Sequence, residues 1–303
     1  MNWKDFFVGI FSILAILLFL FYWFLPFEEM NFGVHKNSEF SVGNLSSQMQ
    51  FYPNMRFESN EISYKIDSDC SLKRKQDMER SFEYIENLTT LEFYPVENNE
   101  EISISCKDDV RPSGGNLFIA GEGGPTKVIS GDNFYLIYEG EILLLRDSKC
   151  EKPNVGIHEL LHVLGFDHSE NKNNIMYPVS SCSQTIGTEI VQKINTIYSY
   201  PSLPDLSLEN ISARAEGRYL DLNFSVKNMG LRDSPVGKAI IYGDEEIIKE
   251  IEIKVLKVGQ GVNWELRNVW IPRKIEKLKI EIITNGNELS LDNNEITLQK
   301  LMS

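Results

Sequence analysis

The chain opens on a run without charge, FFVGIFSILAILLFLFYWFL at residues 6–25. A helix rises about 1.5 Å per residue, so this run is long enough to cross the roughly 30 Å hydrocarbon layer of a bilayer. Trp3 precedes it, and Tyr22 and Trp23 close it, where amphipathic rings favour the headgroup region. The run exceeds the roughly 7–15 residue core of a signal peptide, and PFEEM follows it in place of a small-residue cleavage site. Residues 6–25 are therefore expected to anchor the chain in a membrane. Lys4 lies before the run and Glu28 and Glu29 after it. That bias places residues 1–5 in the cytoplasm and the remainder outside a single-pass cell-membrane protein.

Beyond the run, residues 26–60 are polar, with scattered Gly, Ser and Asn, and read as a stalk. ISYKID, residues 62–67, alternates like a strand. Met78, Phe82, Ile85 and Leu88 then fall on one stripe of a helix expected over 71–87. LEFYPV and EISISC predict two more strands. This β-α-β-β order implies a twisted mixed sheet with a crossover helix. FYLIYEGEILLL, residues 134–145, predicts two strands around a Glu139-Gly140 turn, and a helix follows over 154–164. EIVQKINTIY places Ile190, Val191, Ile194, Ile197 and Tyr198 on one helical face, closing an α+β domain over 61–200.

After a stiff linker at 201–205 the character changes. In YLDLNFSVKN, Leu220, Leu222, Phe224 and Val226 alternate strictly, and KAIIY, IIKEIEIKV, VNWELRNVWI and LKIEIIT repeat the strand pattern. No helical stripe occurs, so 206–303 is expected to be an all-β sandwich. One stretch fits neither pattern. GGNLFIAGEGGP, residues 114–125, has the glycine density of a phosphate cradle but no G-K-[ST] to close it, and reads as a pliable loop.

A chain of 303 residues accommodates these two domains, and 42% hydrophobic content supports a core in each. The formal net charge is −14, with no block of Lys or Arg, which argues against nucleic-acid binding. All four cysteines, Cys70, Cys106, Cys150 and Cys182, lie in the first domain. An even number in an outward-facing domain predicts two disulfides. Three pairings are possible; Cys70–Cys106 with Cys150–Cys182 is preferred because each joins neighbours in the predicted architecture. No C-x-x-C is present, so a cysteine zinc site or a thioredoxin-type motif is not expected.

The chain has four histidines, and three of them fall within GIHELLHVLGFDH, residues 156–168. That H-E-x-x-H-x-x-G-x-x-H pattern arises by chance on the order of a few times in a million such chains. His158 and His162, four apart on a helix, share one face and can hold a divalent cation at about 2.0–2.1 Å, which suits Zn²⁺. Gly165 can adopt positive φ, end the helix and bring His168 round as a third ligand. Three protein ligands leave a fourth position open, the mark of a catalytic site, since His35 is the only spare histidine and lies in the stalk. Glu159 stands beside the metal, placed to take a proton from water activated by the zinc.

HELLHVLGFDHS, residues 158–169, resembles the long zinc motif of the metzincin metallopeptidases, and its LGFDHS wording is most similar to the matrixin branch, the matrix metalloproteinases. NNIMYP, residues 173–178, resembles the family's Met-turn, with Met176 beneath the metal. The resemblance implies an antiparallel edge strand before the motif helix that holds an extended peptide. It also implies a substrate pocket walled by Tyr177, Pro178 and Val179. Tyr177 directly follows the methionine, one position before the tyrosine ligand of the astacin and serralysin branches, and is not assigned to the metal. Structural calcium, usual in matrixins, has no clear loop here, and no PRCG-type propeptide stretch precedes residue 61. KNMG, residues 227–230, and LDNNEITL, residues 291–298, resemble cell-adhesion-related (CARDB-like) immunoglobulin-type modules, implying a spacer or a surface-binding role.

Together these features predict a membrane-anchored zinc endopeptidase that cuts extracellular or cell-surface proteins, with Glu159 as general base. The rival is a surface adhesion protein whose zinc is structural, and the open coordination position weighs against it. Protein or peptide substrates, the membrane and a cell-surface ligand of the sandwich are the expected partners.

Overall fold

The apolar run is helical: α1 covers Trp3–Phe24. The computed structural model describes residues 3–24, 30–35, 49–114, 117–271 and 275–300. Among the described residues no helix is long and apolar enough to cross a membrane. The anchor expected at 6–25 is thus not found there. Residues 1–2, and 25–29 and 36–48 of the expected stalk, lie outside the described residues.

The rest of the polar stretch is not a plain stalk. It holds β1 (Met30–His35) and β2 (Met55–Phe57). β3 (Glu61–Ile66) then leads to α2 (Leu72–Glu86), whose first turn is capped by the Ser71 hydroxyl accepting from Arg74 N at 3.3 Å. Met78, Phe82 and Ile85 form its buried stripe. Leu88, expected on that stripe, falls beyond the helix end and is exposed. β4 (Glu92–Pro95), β5 (Ile102–Cys106) and the short pair β6 (Pro112–Gly114) and β7 (Leu117–Phe118) follow.

Two expectations fail in the next segment. Part of the glycine-dense stretch is strand, since it opens β8 (Gly121–Ser130). Residues 134–145 form not two strands but one, β9 (Tyr135–Leu144). Gly140 is no turn: it sits mid-strand, where a Cβ would stand 2.5 Å from Val163 Cγ1. The glycine marks a close approach of helix to sheet, which period-2 alternation cannot distinguish from a turn.

The sheet runs β2-β9-β5-β3-β4, with β8 on the other side of β9. The pairings among the first five are parallel, and β8 alone is antiparallel. α3 (Asn154–Val163) and α4 (Thr188–Tyr198) complete the half, and one core gathers Phe57, Ile62, Met78, Ile104, Leu160 and Met176. Arg56 ties its ends together. Its buried guanidinium donates to the carbonyls of Phe57, Glu58, Ile197 and Tyr200 and lies 4.5 Å from the Tyr198 ring centroid. Two disulfides, Cys70–Cys106 and Cys150–Cys182, tie α2's entry to β5 and the lead into α3 to the chain after Met176.

The C-terminal half contains β10 (Leu206–Glu216), β11 (Tyr219–Asn228), β12 (Gly237–Gly243), β13 (Glu246–Ile253), β14 (Gly261–Trp270), β15 (Lys277–Thr284) and β16 (Glu295–Lys300). They run antiparallel in the order β13-β12-β15-β16-β1-β10-β11-β14. The array closes over one core, where Leu222 and Phe224 of β11 meet Ile241, Ile280 and Leu298. β1 bridges its two sides, pairing Met30 with Ala215 and Val34 with Leu298. The two halves touch through a separate apolar cluster of Phe134, Leu136, Leu231 and Val258, and through an Arg232–Glu58 ion pair at 2.9 Å.

Candidate metal centre

α3 is built to present one polar face. Leu160, Leu161, Val163 and Leu164 are buried in the core, so His158 and His162 rise from the opposite side. The helix ends in a Schellman turn: Gly165 N bonds His162 O at 2.9 Å and Phe166 N bonds Leu161 O at 3.0 Å. Gly165 has φ +91°, and a Cβ there would stand 2.7 Å from Met55 Cβ, so both conformation and space require glycine. The turn swings His168 back beside the first two imidazoles.

The three Nε2 atoms converge. His162 Nε2 lies 3.0 Å from His158 Nε2 and 3.2 Å from His168 Nε2. Backbone carbonyls fix the tautomers: His158 Nδ1 lies 2.6 Å from Ile175 O, and His162 Nδ1 lies 2.7 Å from Phe166 O. A carbonyl only accepts, so each Nδ1 carries the proton and each Nε2 turns a bare lone pair to its neighbour. Two such lone pairs at 3.0 Å repel unless a cation lies between them. The spacing is close to the roughly 3.3 Å subtended by two nitrogen ligands about 2.05 Å from a tetrahedral zinc. Burial pushes the His158 imidazole down to about 4, against the raising effect of the Ile175 bond, and lowers His162 for the same reason. Neutral imidazole is the ligand form, so the site is set for a metal. His158, His162 and His168 are the zinc ligands, and among the described residues no other group of three His, Cys, Asp or Glu gathers this closely.

Glu159 is 6% exposed and lines the same cleft, of about 610 Å³, as the three imidazoles. Burial pushes its carboxyl up to about 8, and the Glu122 charge adds to that. Phe118, Ile119, Val155, Pro178 and Val179 supply the apolar wall. Of the residues expected to wall a substrate pocket, Pro178 and Val179 line this cleft and Tyr177 does not. Met176 is buried, and its carbonyl accepts from Ser169 N at 2.8 Å, bracing the chain just past His168. Gln184 holds the wall loop from behind, donating to Val179 O and Lys172 O.

Several supporting groups carry no sequence signal. The carbonyls of Phe166 and Ile175 orient two ligands, but any residue supplies a carbonyl. Phe51 stacks on His162 with centroids 5.8 Å apart, while Phe51 N bonds Gly165 O and Asp167 N bonds Met49 O. That strap lies in the stretch expected to be stalk.

The matrixin family model matches residues 56–199, the segment that carries this centre. No curated protein matches the chain. Among solved structures the chain is similar to high choriolytic enzyme 1, a hatching-enzyme zinc-protease of the medaka Oryzias latipes. The identity is 19% and the TM-score 0.24, over 44% of this chain and 55% of that one. It is also similar to β-glucosidase 3B of Thermotoga neapolitana in complex with glucose, at 12% identity and TM-score 0.21, over 26% of this chain and 14% of that one. The chain thus spans about half of the hatching-enzyme chain and a small part of the glucosidase. Taken with the three converging imidazoles, the family match makes residues 56–199 a matrixin zinc metallopeptidase domain.

Proposed function

We propose that the whole protein is an endopeptidase that hydrolyses peptide bonds of extracellular or cell-surface proteins. One observation carries the reading: the side chain of Glu159 shares a cleft with three converging imidazoles, two from α3 and one delivered by the turn that ends it. Zinc, when bound, supplies a Lewis acid that polarises a carbonyl oxygen and acidifies water. Glu159 takes the proton of the attacking water on its carboxylate as the new C–O bond forms. It then hands that proton to the amine nitrogen as the C–N bond breaks. β8, antiparallel at the sheet edge, offers its backbone to an extended peptide, and Pro178 and Val179 wall one side-chain pocket.

Two disulfides and the absence of free cysteines support an oxidising, extracellular setting. Anchorage by residues 6–25 is part of the proposal. Its support is the uncharged run in the sequence and a helix from Trp3 to Phe24 whose described apolar side chains, Phe11 to Leu18 among them, are exposed. The antiparallel array of the C-terminal half is compatible with an immunoglobulin-type module acting as spacer or surface-binding domain. The test is a peptide-library digest by the full-length protein with and without a zinc chelator, read by mass spectrometry. Cleavage within peptides that stops on chelation and returns with zinc is expected. Undiminished cleavage in chelator would overturn the reading.

A further inference from the structure

The glycine-dense stretch supplies the residues of β8 that lie against Glu159. A Cβ on Gly123 would stand 2.5 Å from Glu159 O and 2.9 Å from Glu159 Cβ. A Cβ on Gly121 would stand 2.9 Å from Glu159 Cγ, 3.0 Å from Oε1 and 3.2 Å from Cδ. Carbon does not pack at such distances, so a Cβ at Gly123 would have to move the backbone of α3 and a Cβ at Gly121 would have to move the Glu159 side chain. The strand alternates, and between them Glu122 is held on its outward side by Arg111 Nη1, 2.7 Å from each carboxylate oxygen.

The two glycines meet different parts of the same residue. Gly123 faces backbone, which cannot give way without moving α3. Gly121 faces the side-chain arm of Glu159, a residue only 6% exposed. The arm packs directly on that bare backbone, so a side chain at this position would displace it. We propose that Gly121 is a positioning residue for the general base: its bare backbone is the wall that leaves the Glu159 carboxylate its place over the metal cleft. Gly123 sets the approach of strand to helix. This rests on the assignment of Glu159 as base.

The test combines kinetics with a stability cycle. In the full-length protein, Gly121→Ala keeps one zinc per chain. Its kcat falls at least about tenfold while KM stays within about twofold, because a displaced base costs rate more than binding. In the metal-free protein, Gly121→Ala lowers the melting temperature. In a Glu159→Ala background, which deletes Cγ, Cδ and both oxygens, the same change is neutral or stabilising, as alanine for glycine in a strand should be. Three results overturn the proposal: unchanged kcat in Gly121→Ala while Glu159→Gln is inactive, an equal melting shift in both backgrounds, or failure of Gly121→Ala to fold even when Glu159 is alanine. A Glu159→Gln protein that still cleaves overturns the base assignment itself, a separate outcome because the melting cycle does not depend on activity.

Discussion

His162 donates through Nδ1 to the carbonyl oxygen of Phe166 at 2.7 Å, so the second metal ligand is bonded to the very turn that delivers the third. The turn and the ligand geometry are therefore one unit, pivoting on Gly165.

Gly165→Ala should break that unit. A side chain at φ +91° is strained, and its Cβ meets Met55 at 2.7 Å. The combined cost is about 2–4 kcal/mol, and His168 and the Phe166 carbonyl move with the turn. Zinc affinity is expected to fall at least about tenfold, measured by competition with a chromophoric chelator. Parental affinity would show that the turn does not set the site.

The Cys150–Cys182 bond closes a loop with a sequence separation of 32 that contains α3, all three ligands and the wall residues Pro178 and Val179. Replacing both cysteines with alanine is expected to cost about 3 kcal/mol in urea unfolding. Because the wall loop is freed, KM for peptide should rise more than kcat falls. Equal stability of the two proteins would mean that Gln184 and the core hold the loop unaided.

Asp205 begins the C-terminal half and is buried. Burial raises its carboxyl from 3.8 to about 6, with the Glu288 and Asp132 charges adding and the Asn293 bond opposing. Between those values the folded protein holds a proton that the unfolded chain has released. Stability therefore falls as pH rises through that window, by on the order of 2 kcal/mol from this group. Asp205→Asn has no such proton to lose and can still accept from Asn293. Urea unfolding at pH 4 and pH 7 should show the variant level with the parent at the lower pH and more stable at the higher. The same pH slope in both proteins would rule out Asp205 as the source.

The parts of this molecule that were legible in the sequence are those governed by local periodicity or by scarce residues. His158, Glu159, His162, Gly165 and His168 announce the centre because only those types do that chemistry at that spacing. Met78, Phe82 and Ile85 announce α2 by their stripe. What escaped depends on distant partners. β1 is a six-residue strand whose neighbours, β10 and β16, lie far along the chain. Nothing in MNFGVH names them. Gly121, Gly123 and Gly140 read as loop or turn because glycine is permissive there too; only packing against α3 shows that they are close-approach positions. Phe51 and Met49 act through backbone bonds and one ring face, which carry no pattern at all.

Glu159→Gln tests the central claim most directly, with zinc content and peptide cleavage measured on the same full-length sample. Glutamine keeps the shape of the side chain and all three imidazoles, but it cannot take up a proton. The expected result is one zinc per chain, with cleavage reduced by about 10²–10⁴-fold. A zinc-loaded variant that cuts at the parental rate would contradict the account.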